Sequence, residues 1–351
     1  MKKLIKPLFI LLCLLVLMPI GLILWLTITD YKPKDCGNSE IRNISPTLSS
    51  ERISIFNWNL GYGGLGQNMD FFMDGGSRIK APQSEYETYW NGIQNTVKNH
   101  ENEIYFFQEI DRSSTRSYKE DQYNTIFRLL GDYNSSFSTN YKVGFIPSPQ
   151  IIGSPYGSIH SGLAIFSRFH LDKSERISLP GNYSWPKKIF FLDRCMLVCR
   201  IRSSEGKTIV LINTHNSAYD KGGFLKKEQL EFMRDYAEKE YTKGNHVVIG
   251  GDWNSYLPGS DGNSFPSEEK IPDFYQPLPA DWEMENWKWA VDLKTPTNRS
   301  LEKPYIQGKT FTSLIDGFLL SPNIDLLKVQ TINMEFKYSD HNPIELEIEL
   351  K

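Results

Sequence analysis

The stretch Val247-Val248-Ile249-Gly250-Gly251-Asp252-Trp253-Asn254 decides how the rest of the chain is interpreted. Its three β-branched residues predict a buried strand, and the two glycines let the backbone turn sharply. Asp252 and Asn254 then project where the strand ends, which is how a sheet delivers oxygen ligands to a cleft. Because Gly-Gly-Asp also occurs in ordinary turns, the stretch becomes informative only if other strand ends carry matching chemistry.

Other apolar runs that are typical of strands also end in polar side chains. Residues 53–59 end at Asn59, residues 104–108 lead directly to Glu109, and residues 208–214 lead to His215. A carboxylate directly after so apolar a strand is costly to bury unless a cation or a hydrogen-bond donor meets it. The sequence therefore predicts that these strand ends meet at one polar site.

Three more candidate residues belong to this pattern. Arg194 begins the first arm of a predicted hairpin, formed by residues 195–201 and 208–214 around a turn at 203–206. Asp316 lies inside another apolar strand, where an acid needs a partner such as a histidine. The pair Asp340-His341 precedes the alternating last strand at residues 344–350.

Helical spacing of apolar residues predicts helices at residues 85–99, 121–130 and 221–241. Between these elements, residues 65–84 and 255–312 are long stretches without clear periodicity. Such long stretches in a compact domain are usually functional loops or additions to the fold.

Composition limits the function classes. With 351 residues, 40% of them hydrophobic, the chain can hold one large or two small domains with a real core. The net charge of −3 and the lack of a polybasic run beyond the first few residues do not indicate a large sequence-independent nucleic-acid footprint, although a local basic groove stays open. Four cysteines without a CxxC pair predict neither a disulfide framework nor a zinc site.

The N-terminal residues carry a targeting signal. Lys2, Lys3 and Lys6 precede an apolar run from Pro7 to Ile28. A helix needs ~20 apolar residues to cross a bilayer, and this run is long enough. We expect residues 1–30 to be a cytoplasmic N-terminus with one transmembrane helix, residues 31–51 a linker, and residues 52–351 an extracytoplasmic domain of a single-pass cell-membrane protein. The alternative is a cleaved signal peptide and a secreted domain.

The candidate ligands at the strand ends are all oxygen donors. They are Asn59, Glu109, Asp252, Asn254 and Asp340. Oxygen-only ligands suit hard divalent cations such as Mg²⁺ or Mn²⁺. His215 and His341 add groups that can donate to a phosphoryl oxygen or orient water, and Asp316 can fix the tautomer of one imidazole.

The order of these motifs resembles the endonuclease/exonuclease/phosphatase superfamily, which has the deoxyribonuclease-I-like fold. The matching pieces are Asn57-Trp58-Asn59, Phe107-Gln108-Glu109, Asn213-Thr214-His215, Gly250-Gly251-Asp252-Trp253-Asn254, Ile315-Asp316-Gly317-Phe318 and Ser339-Asp340-His341-Asn342-Pro343. Each is weak alone, but their order and spacing over residues 52–351 are specific. The resemblance implies a four-layer α/β sandwich in which two mixed β-sheets pack face to face with helices outside.

The resemblance also implies roles for individual residues. Glu109 would be the main metal ligand, completed by Asn59 and Asp340, while Asp252 and Asn254 would contact the scissile phosphate, the nucleophilic water or a second metal. Three further residues would act on the substrate. His341, oriented by Asp316, would be a general base or a phosphate donor; His215 would stabilise the pentacoordinate phosphorus or protonate the leaving oxygen; and Arg194 would contact phosphate.

These implications predict a metal-dependent phosphoric-ester hydrolase that uses activated water. Its substrate would be a nucleic acid or a phospholipid head group, so the enzyme would be a nuclease-like or a sphingomyelinase-like phosphodiesterase. The histidine pair favours the former and the N-terminal anchor favours the latter. The alternative is a non-catalytic phosphate- or lipid-binding membrane protein that retains the fold. No protein partner can be inferred.

Overall fold

A computed structural model describes residues 2–44, 50–148, 154–202, 206–220, 222–279, 282 and 284–351. The helices are α1 Lys2–Ile28, α2 Gln83–Asn99, α3 Gln122–Leu130 and α4 Phe224–Thr242. The strands are β1 Cys36–Asn38, β2 Glu40–Arg42, β3 Arg52–Asn59, β4 Ile104–Asp111, β5 Asn134–Ile146, β6 Gly157–Ser167, β7 Lys173–Ser178, β8 Cys195–Arg202, β9 Thr208–His215, β10 His246–Asp252, β11 Ser255–Tyr256, β12 Gln276–Pro277, β13 Lys288–Ala290, β14 Asn298–Arg299, β15 Thr312–Ser313, β16 Asp316–Leu320, β17 Ile324–Thr331 and β18 Ile344–Leu350.

Two seven-stranded mixed sheets form the centre of the domain. One has the order β1-β7-β8-β9-β10-β16-β13, and the other has the order β17-β18-β3-β4-β6-β5-β2. Apolar side chains from both sheets, such as Phe106 and Phe318, are fully buried in one shared core. Helices α2 and α3 cover the outer face of the second sheet, and α4 covers the outer face of the first. The predicted sandwich of packed mixed sheets with helices outside is confirmed.

The predicted strands and helices largely form where expected. The hairpin arms are β8 and β9, and residues 203–205 of the turn predicted at 203–206 lie outside the described residues. The helix predicted from residue 221 begins at Phe224, after Gly222 and Gly223 in left-handed conformations, and Lys221 lies outside the described residues. Backbone with positive φ cannot continue into a helix, which explains the later start.

The two glycines of β10 have different roles. A Cβ atom on Gly250 would lie 2.5 Å from the ring of Phe318 and 3.1 Å from the ring of Phe106, which belongs to the opposite sheet. Gly251 has φ of +144°, and its Cβ would lie 2.0 Å from the carbonyl oxygen of Thr214 on the parallel neighbour β9. Gly250 therefore lets side chains of the two sheets meet, and Gly251 makes the backbone turn that aims Asp252.

Gly251→Ala should strongly destabilise the domain, because the methyl group meets backbone atoms and the φ value is unfavourable for an L-residue. We expect the free energy of unfolding to fall by roughly 3–5 kcal/mol. Gly244→Ala is the matched control, since Gly244 also has positive φ (+85°) but has nothing within 4 Å of its Cβ position. Urea unfolding should show a loss of only about 1 kcal/mol there. Equal losses in both variants would contradict the clash with Thr214.

Three buried amides join the two sheets beneath the predicted site. Gln108 Nε2 donates to Asn57 Oδ1 at 2.8 Å and to Asn213 Oδ1 at 2.7 Å. Asn213 Nδ2 donates in turn to the carbonyl oxygens of Phe107 and Ala164. Because Asn213 belongs to the first sheet and the others to the second, these hydrogen bonds set the alignment of the sheets. The side-chain amides of Asn57, Gln108 and Asn213, which belong to the motifs quoted above, therefore have a structural role.

The N-terminal residues differ from the prediction. Two short strands lie in the segment predicted as a linker: β1 pairs with β7 in the first sheet, and β2 pairs with β5 in the second. Helix α1 precedes them, and Leu26 near its end is 2% exposed in the core under α2 and α3. The predicted transmembrane helix is not supported, since no helix among the described residues is both long and apolar enough to cross a membrane.

One buried arginine joins the two long stretches without periodicity. The guanidinium of Arg299, on β14 in the second stretch, donates to the carbonyl oxygens of Leu65, Gly66 and Met69 in the first. It also donates to the carbonyl oxygen of Ser300 at 2.9 Å, and the residue is 1% exposed. Carbonyl oxygens thus compensate the burial of this cation, and they hold both stretches beside one end of the sandwich.

Candidate active site

Asp252 lies at the centre of the site, at the end of β10. Asn59 Nδ2, from the opposite sheet, donates to Asp252 Oδ2 at 3.1 Å. His215 Nε2 lies 3.4 Å from the same oxygen, and His341 Nε2 lies 3.8 Å from it. The side chain of Asp252 is 3% exposed. A single carboxylate oxygen therefore faces an amide and two imidazoles that come from three different strand ends or loops.

His341 is held from both sides. Its Nδ1 is 2.8 Å from Oδ2 of Asp316, which is the first residue of β16 and pairs with Asp252 across the sheet. Its Nε2 is 3.0 Å from the side-chain amide of Asn298, which also contacts the hydroxyl of Tyr275 at 2.5 Å. The Asp316 contact orients the ring, as expected from the sequence.

Glu109 enters the site from the opposite sheet through a distorted strand. It lies in a β-bulge of β4, where the register with β6 shifts between Phe107 and Ile110, and its φ is +49°. Bulges re-aim side chains, and here the bulge turns a carboxylate toward the cleft. Glu109 Oε1 lies 3.9 Å from His215 Nε2, and Oε2 lies 3.9 Å from a guanidinium nitrogen of Arg116.

Asn254 and Arg194 support the loops around Asp252 and His215. The backbone N–H of Asn254 donates to Asp252 Oδ1 at 2.9 Å, and its side-chain Nδ2 donates to the carbonyl oxygen of Asn216. Asn254 also has a left-handed conformation, with φ of +49°. A guanidinium nitrogen of Arg194 donates to the carbonyl oxygen of His215 at 3.2 Å, which leaves its other N–H groups for the cleft.

The two histidines differ in charge. Burial lowers the pKa of His341, but the Asp316 and Asp340 carboxylates outweigh burial and raise that pKa to about 10. Burial lowers the pKa of His215 well below its ordinary value, and the neighbouring Arg194 lowers it further. At neutral pH His341 is therefore an imidazolium and His215 is a neutral imidazole.

The carboxylates of the site are difficult to ionise together. Burial raises the pKa of Asp252 to about 7, and the nearby Asp316 charge adds to this effect. Burial also raises the pKa values of Glu109 and Asp340. Acids of this kind, facing one another in a cleft, would ionise more readily beside a divalent cation.

The acidic site therefore fits a metal ion. Among the described residues, Asp252, Asp316 and His341 offer ligand atoms that all lie within 4.8 Å of one another. Asp316 Oδ1 is buried without a hydrogen-bond partner, but Asp316 Oδ2 and His341 Nδ1 already contact each other. The group differs from the ligand set predicted from the sequence, Asn59, Glu109, Asp252 and Asp340, in which only Asp252 is shared.

The site lies in a cavity of about 560 Å³. Of the residues predicted from the sequence, Glu109, Arg194, His215, Asp252, Asn254, Asp340 and His341 line the cavity directly. Asn59 and Asp316 lie behind it and contact Asp252 and His341. The strand-end pattern thus brought all nine residues to one place.

Other cavity residues had no signal in the sequence. Asp74 accepts a hydrogen bond from the hydroxyl of Tyr219 at 2.6 Å, and this contact links loops that follow different sheets. Asn298 and Tyr275 come from the 255–312 stretch, where no spacing indicated a role. Arg116 lies in a polar loop that shows nothing unusual in the sequence.

Comparison with known proteins identifies the family. A profile described as the Endonuclease/Exonuclease/phosphatase family matches residues 57–341. The chain belongs to the endonuclease/exonuclease/phosphatase family. The matched range includes the first five motifs and the last one up to His341, so the family resemblance inferred from the motifs is confirmed. No curated protein sequence matches the chain.

Solved structures show the same fold for this family member. An endonuclease/exonuclease/phosphatase from Beutenbergia cavernae superposes with a TM-score of 0.53 and 16% identity, covering 85% of this chain and 72% of that chain. The human Nocturnin catalytic domain with bound sulfate gives 0.52 and 16% identity, covering 89% and 98%. TDP2 from D. rerio, complexed with a single-strand DNA product, gives 0.52 and 15% identity, covering 85% and 99%. At these identities the likeness concerns the fold alone.

Proposed function

We propose that this family member is a metal-dependent phosphoric-ester hydrolase in which activated water attacks the phosphorus. The observation that supports it most directly is the convergence of Asn59, His215 and His341 on one oxygen of Asp252. A binding protein has no need for an imidazolium and a neutral imidazole on either side of a carboxylate with a raised pKa. Such pairs of titratable groups with opposite shifts are typical of acid–base catalysis.

The metal would be held by Glu109 and Asp340, which line the cavity, and by Asn59, which lies behind them. We call these three residues the metal wall. When bound, Mg²⁺ or Mn²⁺ would supply positive charge that polarises a phosphoryl oxygen and offsets the charge of the transition state. The fit rests on the raised pKa values of Glu109 and Asp340, which ionise more easily beside a cation.

Proton movements follow from the charges of the other residues. Asp252, whose pKa is raised to about 7, accepts a proton from the attacking water. As the bond from the water oxygen to phosphorus forms, the bond from phosphorus to the alcohol oxygen breaks, and the departing oxygen takes its proton from solvent. His341, an imidazolium held by Asp316, donates a hydrogen bond to a phosphoryl oxygen, so of the two roles expected for it we propose the phosphate donor. Neutral His215 and Arg194 contact other oxygens of the phosphoryl group.

Asp316→Asn tests how His341 obtains its charge. Removing the carboxylate that raises the pKa of His341 should lower that pKa, so the imidazolium loses its proton at a lower pH. We expect the alkaline limb of the pH–rate profile to move down by at least ~1 pH unit and kcat to fall roughly 10–100-fold. Asn298→Ala, which removes the neutral neighbour of the same ring, should lower kcat without moving that limb. An unmoved limb in Asp316→Asn would contradict the proposed charge state.

The charges of the cleft favour a small ester with a single phosphate group over a long polynucleotide. Apart from histidines, its described lining carries four cationic side chains, which are Arg116, Arg194, Lys270 and Arg299. Arg116 is paired with Asp111, and Arg299 is taken up by carbonyl oxygens. A polynucleotide track needs several cations that remain available for backbone phosphates. Aromatic side chains instead make up much of the remaining lining.

A substrate panel tests the proposal on the full chain. Bis(p-nitrophenyl) phosphate, plasmid DNA, sphingomyelin vesicles and inositol polyphosphates are assayed with Mg²⁺ or Mn²⁺ and with a chelator. We expect metal-dependent release of product from at least one small ester, with plasmid DNA the poorest substrate. Binding of phosphate or lipid without turnover of any member would favour the non-catalytic alternative.

The membrane location inferred from residues 1–30 stays a prediction.

A further inference from the structure

Beside the metal wall, the cleft contains a second group of buried polar side chains that the proposed chemistry does not use. We call it the Asn140 pocket and define it by Tyr62, Arg116, Asn140, Tyr156 and Ser161, which line the same cavity as Asp252. Each of these residues is at most 4% exposed. The pocket adjoins the metal wall, because a guanidinium nitrogen of Arg116 lies 3.9 Å from Glu109 Oε2.

The position of Asn140 is produced by a strand distortion that mirrors the one at Glu109. Asn140 is the extra residue where the register between β5 and β6 shifts from Thr139 opposite Gly162 to Tyr141 opposite Ser161. On the other side of β6, Gly162 pairs with Ile110, at the end of the bulge that contains Glu109. Two bulges therefore flank the same residue of β6, and each directs a polar side chain into the cleft.

Two groups of the pocket are buried with an unused donor. Among the described residues, Asn140 Nδ2 has no hydrogen-bond partner. The Tyr62 and Tyr156 hydroxyls contact each other and Tyr156 also accepts from Arg116, so among the described residues one of the two hydroxyl protons has no acceptor. A buried donor without a partner costs roughly 1–3 kcal/mol, so native structures rarely leave one in a cavity unless something else occupies it. These donors indicate a ligand with oxygen acceptors.

The cation of the pocket is already engaged. Arg116 donates to both carboxylate oxygens of Asp111, at 3.0 and 3.1 Å, and to the hydroxyl of Tyr156. Its guanidinium also lies 3.7 Å from the centre of the Tyr62 ring. The guanidinium therefore occupies one face of the Tyr62 ring and repels a further positive charge, such as a quaternary ammonium, in this part of the cleft.

We propose that the Asn140 pocket recognises the alcohol part of the substrate and selects alcohols that carry several oxygen acceptors, such as a sugar or a polyol. This inference rests on the proposed hydrolase function. Asn140 Nδ2 and the hydroxyl pair of Tyr62 and Tyr156 donate to oxygens of the alcohol, while its carbon skeleton packs against the Tyr156 ring. The phosphate then lies beside Glu109 and Asp252. Asn140 and Tyr62 are specificity residues and take no part in the chemical step.

Three esters with the same leaving group test this selection. The p-nitrophenyl phosphodiesters of thymidine, glycerol and choline differ only in the alcohol, and choline has no oxygen acceptor beyond the ester. We expect the full-length enzyme to prefer thymidine or glycerol, and the better of the two identifies a nucleoside or a simple polyol. In Asn140→Leu and Tyr62→Phe, the ratio of kcat/KM for that ester to kcat/KM for the choline ester should fall at least ~10-fold, because removing a donor penalises only alcohols with acceptors.

Tyr123→Phe is the matched control. It also removes the hydroxyl of a fully buried tyrosine, but that hydroxyl contacts Ser135 and lies outside the cleft. Its selectivity ratio should equal that of the wild type. An unchanged ratio in both pocket variants would mean that the donors hold only water, and equal losses on all three esters would mean a structural role. Either result would overturn the inference.

The test also separates this inference from the proposed function. If the wild type cleaves none of the three esters, the hydrolase proposal fails, and binding is then measured by calorimetry with thymidine 5′-monophosphate and glycerol phosphate. The pocket inference expects at least ~10-fold weaker binding of one of them to Asn140→Leu than to the wild type. Equal binding to both proteins, or none to either, would overturn it.

Discussion

Glu109→Ala should reduce kcat/KM for any substrate by a factor on the order of 10³ or more, because the metal wall loses its main carboxylate and the charge it would bring to the phosphate. The fold should persist. Partial burial raises the pKa of Glu109, whose side chain is 24% exposed, so its removal relieves an unfavourable ionised acid, and the free energy of unfolding at neutral pH should not fall. Circular dichroism and urea unfolding measure the second expectation.

The sign of this stability effect is set by the raised pKa. An acid whose pKa is higher in the folded state than in the unfolded state destabilises the folded state as pH rises above the unfolded value. In the metal-free protein, Glu109→Ala should therefore be most stabilising near pH 8 and nearly neutral near pH 4. Calorimetric titration with Mn²⁺ should show that the variant has lost the affinity of the wild type.

The control for Glu109 is Glu238→Ala, which removes an exposed carboxylate of α4 outside the cleft and changes the net charge of the chain equally. Its metal affinity and kcat should match those of the wild type. If Glu109→Ala keeps its metal affinity, the ligands are the Asp252, Asp316 and His341 group, and the proposed assignment of the metal wall is wrong.

His341→Ala should lower kcat roughly 10²–10⁴-fold with little change in the folded state, since it removes the imidazolium that donates to the phosphoryl oxygen. His341→Gln should recover part of the loss, because its amide can donate a neutral hydrogen bond to the same oxygen. Stopped assays with bis(p-nitrophenyl) phosphate give kcat, and thermal unfolding checks the fold.

A double variant shows whether Asp316 acts through His341. If Asp316 serves only to hold and charge the imidazole, Asp316→Asn should add almost no further loss in the His341→Ala background. Multiplicative losses would show that Asp316 has an independent role, for example as a metal ligand through its unpartnered Oδ1.

The strand ends were the part of the site that the sequence revealed. A run of buried β-branched residues followed by Gly-Gly-Asp has few structural solutions, and β10 adopted the expected one, with Asp252 beside His215 and Asp316. Local patterns suffice there because each polar side chain is placed by its own strand. Family resemblance added their relation to one another across the two sheets.

Residues placed by long-range contacts were not predictable. Asn140 depends on a bulge, and a bulge is defined by the register of a neighbouring strand. Glu109 itself was predicted, but the bulge that aims its side chain was not. Asn298 reaches His341 from a stretch without periodicity. The edge strands β1 and β2 are three residues each, which is too short for alternation to be visible, so the segment resembled a linker.

Arg299 has a consequence for exchanging parts between relatives. Its guanidinium is buried by carbonyl oxygens of residues 65–69, although it belongs to the 255–312 stretch. In a chimera that receives only the first stretch from another protein, the buried Arg299 guanidinium would lose the carbonyl oxygens that now accept its hydrogen bonds. The two stretches therefore form one exchangeable module, and grafts intended to transplant substrate preference should carry both together.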